Sequence, residues 1–91
     1  MKRYTVTWKP NAKARLAHLW NSNPRIRQEI ADAADKIDRL LAINPLSLGE
    51  AVSERSRQYI EPPLLVLFAV SPDDRMVRVI FVKIWFEASI P

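Results

Sequence analysis

The stretch that decides the fold is Asn44-Pro45-Leu46-Ser47-Leu48-Gly49-Glu50. Pro45 has no backbone N–H and disfavours the α conformation at Asn44, so a helix cannot run past this point. Gly49 is the only glycine of the 91-residue chain. A backbone conformation that other residues avoid is therefore expected there. Before the stretch, apolar residues recur at helical spacing; after it, they run in strand-like blocks.

Working outward towards the N-terminus, Ile26, Ile30, Ala33, Ile37, Leu40 and Leu41 form one apolar stripe. The stripe predicts a helix of about 20 residues, some 30 Å long. Asn23 is its expected N-cap and Pro24 its first helical residue. Asp32 with Lys36, and Asp35 with Arg39, stand four apart and are expected to pair. Ala12, Leu16, Leu19 and Trp20 mark a shorter helix over residues 10–21. Ahead of it, Tyr4-Thr5-Val6-Thr7-Trp8 alternates as a half-buried strand does.

Towards the C-terminus, a mixed strand is expected over residues 53–60, ended by Glu61-Pro62-Pro63. Residues 64–70 and 76–86 are apolar on both faces and read as inner strands, joined by the turn Ser71-Pro72-Asp73-Asp74. The expected fold is α+β in the order β-α-α-β-β-β, one domain over residues 1–91. A helical hairpin packs on one face of a four-stranded, mainly antiparallel sheet, and the other face stays open.

Composition narrows the function. There is no cysteine, which fits a reducing compartment. No apolar run approaches the roughly 18 residues a membrane span needs, and the opening residues lack a signal peptide's apolar segment. A cytoplasmic protein is expected, with no membrane association. The single histidine, His18, lies on a polar helix side among basic residues, so no metal site and no Ser-His-Asp set is expected. One glycine also excludes a glycine-rich phosphate loop; no cofactor is expected.

The net charge of +4 is unevenly spread. Residues 1–27 carry Lys2, Arg3, Lys9, Lys13, Arg15, Arg25 and Arg27 and no acidic residue. A polyanion, an acidic protein or plain solvent can face such a segment. Arg25 and Arg27 sit in the first turn of the second helix, against the preference of the helix dipole, which marks them as candidate nucleic-acid contacts.

In the sheet, Arg55, Arg57 and Tyr59 alternate onto one face. On the last strand Lys83 and Trp85 share a face with Val77, Val79 and Phe81, and Arg78 falls opposite. If both sets face away from the helices, three cations lie beside two aromatic rings. Cations neutralise phosphates and rings stack on unpaired bases. Glu50 and Glu54 can serve as a general base or pair with Arg55 or Arg57.

The opening strand, the helical hairpin, the Asn44–Glu50 junction and the blocks Leu65-Val66-Leu67-Phe68-Ala69-Val70 and Val77-Arg78-Val79-Ile80 together resemble the RelE/ParE superfamily of bacterial toxins. The resemblance covers about residues 3–87. It implies a toxin of a type II toxin–antitoxin system with a cognate antitoxin as partner, as a hetero-oligomer or homodimer. It implies either cleavage of mRNA at the ribosome or poisoning of DNA gyrase; a degenerate homologue that only binds antitoxin is the third reading. For RNA cleavage, a ribose 2′-hydroxyl attacks the adjacent phosphate and an acid protonates the oxygen that leaves. By position, Arg55, Arg57 and Lys83 correspond to the family's basic residues that stabilise the charge; of this chain's own residues, Glu50 or Glu54 is the candidate base. The sequence departs from the family where an arginine often opens the third strand, here Leu64-Leu65. It departs again where a histidine or tyrosine tends to end the last strand, here Trp85-Phe86, and it lacks an arginine-rich C-terminal end.

Overall fold

The computed structural model describes residues 3–85. Strand β1 (Thr5–Trp8) leads into helix α1 (Pro10–Ser22), a 3₁₀ turn (Pro24–Ile26) and helix α2 (Arg27–Ile43). A second 3₁₀ turn (Pro45–Ser47) precedes β2 (Glu50–Ala51), β3 (Ser56–Glu61), β4 (Leu64–Ser71) and β5 (Met76–Ile84). The sheet order is β1-β5-β4-β3-β2; β1 runs parallel to β5 and the other pairs are antiparallel. The expected α+β architecture is thus present with five strands, not four. The extra strand is the two-residue β2, too short to leave a periodic signal.

The junction behaves as its residues dictate. The Asn44 N–H still bonds to the Leu40 carbonyl at 3.1 Å, but Pro45 starts a new turn. Gly49 takes φ +68°. A Cβ there would stand 1.9 Å from the Gln58 carbonyl oxygen, so both the torsion and the close approach of β3 require glycine.

The turn between the helices corrects two expectations. Pro24 opens a 3₁₀ turn, and α2 begins only at Arg27. Asn23 makes no N-cap bond; its Nδ2 donates backwards to the Leu19 carbonyl at 2.7 Å, closing the end of α1. Of the two ion pairs expected along α2, Asp35–Arg39 forms at 3.4 Å. Lys36 instead reaches Glu61 on β3 at 3.4 Å, and Asp32 accepts from Gln28. A partly enclosed carboxylate holds the lysine better than an exposed one a helical turn away.

The core lies between the helices and one sheet face. Ile30, Ala33, Ile37 and Leu41 of α2 and Ala12 and Leu19 of α1 meet Leu64, Val66, Phe68, Val77, Val79 and Val82. Each large apolar side chain buried there contributes about 1.5–3 kcal/mol. No polar side chain is buried among the described residues.

One irregularity sets the faces of the sheet. Leu67 pairs with Phe81 but Phe68 pairs with Val79, so Ile80 is an extra residue, a β-bulge in β5. Before the bulge Val77 and Val79 are buried and Arg78 is exposed; after it Val82 is buried and Phe81 and Lys83 are exposed. Lys83 and Phe81 therefore share the open face with Arg78. Uninterrupted alternation places Lys83 with Val77 and Val79 instead, because the sequence carries no trace of the extra residue.

Candidate functional site

Pairing with β4 decides which way β3 faces. Leu64, Val66 and Phe68 are buried against the helices, and their direct partners are Glu61, Tyr59 and Arg57. Residues directly opposite in an antiparallel pair share a face, so these three point to the helical layer. This overturns the expectation that Arg57 and Tyr59 share the open face with Lys83.

Both side chains have local partners. Arg57 donates through Nε to the Leu48 carbonyl and through Nη2 to that of Gly49, each at 3.0 Å, and so ties β3 to the junction. The Tyr59 hydroxyl donates to Glu61 Oε1 at 2.7 Å, while the other carboxylate oxygen meets Lys36. The hydrogen bond to Glu61, then desolvation, then the carboxylate charge push the Tyr59 phenol up to about 12. It remains protonated at any physiological pH and is no base.

The open face is built from the other phase of the strands. Register lines Thr7, Arg78, Ala69 and Ser56 in one row across β1, β5, β4 and β3. A second row holds Phe81, Leu67, Gln58 and Glu50, and a third Lys83, Leu65 and Ile60. The face thus carries a cation at each end of β5, with the apolar Phe81 and Leu67 between them on β5 and β4. Phe81 is 39% exposed within it.

The remaining candidates fall in different places. Glu50 is on the open face but on β2, three strand spacings from β5, or about 14 Å. Neither Glu50 nor Glu54 forms an ion pair with Arg55 or Arg57 among the described residues. Arg55 is exposed in the loop before β3, at the rim of a cleft of about 450 Å³ that Arg78 also lines. Trp85 follows the end of β5, half-buried, with its backbone N–H donating to the Pro63 carbonyl at 2.8 Å. Phe86 lies outside the described residues.

Arg25 and Arg27 belong to the helical layer. Arg25 is exposed. Arg27 stacks over the Trp20 ring at 4.1 Å and donates to the carbonyls of Trp20 (3.0 Å) and Asn21 (3.5 Å). Its place in the first turn of α2 breaks the dipole rule only in sequence; in space it caps the electronegative end of α1.

Sequence reasoning undervalued Arg78 and missed Arg15. Arg15 reaches from α1 to the edge of β5, donates from Nε to the Val82 carbonyl at 2.7 Å and lies 5.1 Å from the Phe81 ring. That edge is open because β1 ends at Trp8, opposite Val79. No local signal joins residue 15 to residue 82.

No group of His, Cys, Asp or Glu able to hold a metal occurs among the described residues, and no described helix is long and apolar enough to cross a membrane.

No protein-family model matches the chain. No curated protein matches it either. Among solved structures it is similar to a chain of the toxin–antitoxin complex RelBE2 from Mycobacterium tuberculosis, at TM-score 0.74 and 21% identity, covering 92% of this chain and 93% of that one. It is also similar to a chain of the chromosomal ParDE toxin–antitoxin system from P. aeruginosa, at TM-score 0.72 and 14% identity, covering 91% and 97%. At such identities the likeness is one of fold, and over almost the whole of its length the chain has the RelE/ParE-like fold that its sequence resembles.

Proposed function

We propose that this protein is the toxin-type member of a toxin–antitoxin pair, restrained by a cognate antitoxin, and that it acts on mRNA at the ribosome through the open face of its sheet. The observation that carries this reading is a sheet face that no described helix covers, presenting Arg78, Lys83 and an exposed Phe81, in a fold shared with chains of two toxin–antitoxin systems. Cations there neutralise phosphates, and the ring offers a stacking surface for an unpaired base. In a cleavage reaction either cation can offset the charge that develops as a 2′-hydroxyl loses its proton and attacks its neighbouring phosphate, while the 5′-oxygen of the next nucleotide leaves and takes a proton from water.

A second reading, action by binding alone, has its own observation. Arg57 and Tyr59, two of the candidate active groups, face the helical layer and are engaged there. On that reading the open face holds DNA gyrase or another target without cleaving it, or only antitoxin binding is retained.

Induction of the chain alone in bacteria tests both. The first reading expects growth arrest and translation-dependent mRNA cuts that disappear in Lys83→Gln and Arg78→Gln variants. Arrest with intact mRNA and inhibited supercoiling supports the second. Normal growth at full soluble expression eliminates both active readings.

A further inference from the structure

The open face ends, towards the β4–β5 turn, in the cleft of about 450 Å³. Arg55 and Arg78 stand on its walls, and Ala69, Ser71, Asp74 and Met76 complete much of the lining. Ala69 is the reason the cleft exists: it stands between Ser56 and Arg78 in the cross-strand row, and its methyl group leaves the space a larger residue would fill. The turn that closes one side is held by the Arg75 N–H on the Pro72 carbonyl at 3.2 Å.

The charges of the cleft are unequal and separately placed. Among the described residues neither the Arg55 nor the Arg78 guanidinium makes an ion pair or a side-chain hydrogen bond. The Asp74 carboxylate accepts from the Ser71 hydroxyl at 3.3 Å and keeps further acceptor capacity. A simple anion would use the two arginines and be repelled by Asp74. A ligand with an anionic end and a hydrogen-bond donor some ångströms away satisfies both, and the methyl and thioether groups of Ala69 and Met76 suit a flat apolar portion. Pockets of this volume match ligands of nucleotide size.

We infer that this cleft is a mononucleotide subsite: Arg55 and Arg78 hold the phosphate, Asp74 accepts from a ribose hydroxyl or an exocyclic amine, and the base lies on Met76 and Ala69. The inference rests on the reading of the open face as a nucleic-acid surface. It adds a position at the turn end of the sheet, away from Lys83, where one nucleotide of a strand, or a free nucleotide, is gripped.

The test is amide-resolved NMR on the ¹⁵N-labelled full chain, made in a cell-free system and titrated with adenosine 5′-monophosphate, inorganic phosphate and a short oligoadenylate. Adenosine 5′-monophosphate is expected to shift Ser56, Ala69, Ser71, Met76 and Arg78, and to bind about tenfold tighter than phosphate. Arg55→Gln and Arg78→Gln should each weaken it about tenfold, the loss of one charge-assisted contact, while Lys83→Gln leaves it unchanged. Both arginines are exposed, so the variants should keep the fold, and retained dispersion of their amide spectra checks it. If the oligoadenylate binds at the cleft much more tightly than the mononucleotide, the ligand is a strand; equal affinity makes it a free nucleotide. Absence of shifts into the millimolar range overturns the inference, as do shifts centred elsewhere or phosphate binding as well as the nucleotide. Growth arrest by a chain whose cleft binds nothing leaves the toxin reading standing; cleft binding without arrest leaves this inference standing and removes that reading.

Discussion

The two faces of one sheet, made by the same strands, put arginine to opposite uses. On the helical face Arg57 spends its donors on the carbonyls of Leu48 and Gly49 and fixes the junction to β3. On the open face Arg78 stands in a row with Thr7, Ala69 and Ser56 and has no partner among the described residues. A charged side chain whose hydrogen bonds are all internal is part of the fold, whereas one held on a rigid strand without partners is available to a ligand. Residue type did not separate the two; strand phase did.

The contrast is sharpest in stability. Phe68→Ala on the helical face removes a fully buried ring and should cost about 3–5 kcal/mol, measured by urea denaturation. Leu67→Ala next to it, half-buried on the open face, should cost far less. Equal losses would mean that the open face is covered in solution. Gly49→Ala comes next: the torsion alone costs about 1–3 kcal/mol, and the 1.9 Å approach to the Gln58 carbonyl oxygen must add to it. A stable Gly49→Ala protein with unchanged denaturation midpoint would show that the junction is not held as described.

Arg57→Ala should destabilise by about 1–2 kcal/mol through loss of two hydrogen bonds, and Arg78→Ala should stay within about 0.5 kcal/mol of the parent. The functional effects should run the other way, with Arg78→Ala impairing target binding. If Arg57→Ala abolishes activity while leaving the denaturation curve untouched, the assignment of faces is wrong.

These particulars show what could be read from the sequence and what could not. Pro45 and Gly49 act through local backbone geometry, so the division into helical hairpin and sheet was legible, as was the antiparallel meander after it. The phase of β3 was not. It is set by pairing with β4, and β4 is apolar at every position from Leu64 to Phe68, so neither face announces itself. The bulge at Ile80 is hidden for the same reason, since Ile80, Phe81 and Val82 are consecutive apolar residues and one extra leaves the pattern intact. Arg27 misled in another way: it opens α2 in sequence, but its partner is the end of α1, seven residues back.

The smallest effect probes the helical face by titration. Tyr59 has its pKa raised from 10.0 to about 12, first by its hydrogen bond to Glu61, then by desolvation and by the carboxylate charge. Each cause favours the neutral phenol in the folded state. The stability contributed is therefore complete below pH 10, the unfolded value, and is lost progressively as pH rises from 10 towards 12. Below that window Tyr59→Phe loses only the hydrogen bond, a cost of about 1 kcal/mol. Within it the variant's stability should fall less steeply with pH than the parent's, because the group that must stay protonated is gone. Urea midpoints of both proteins at pH values below and inside the window provide the measurement. Parallel curves throughout would place Tyr59 in solvent, on the open face with Arg78, and would reverse the assignment of β3.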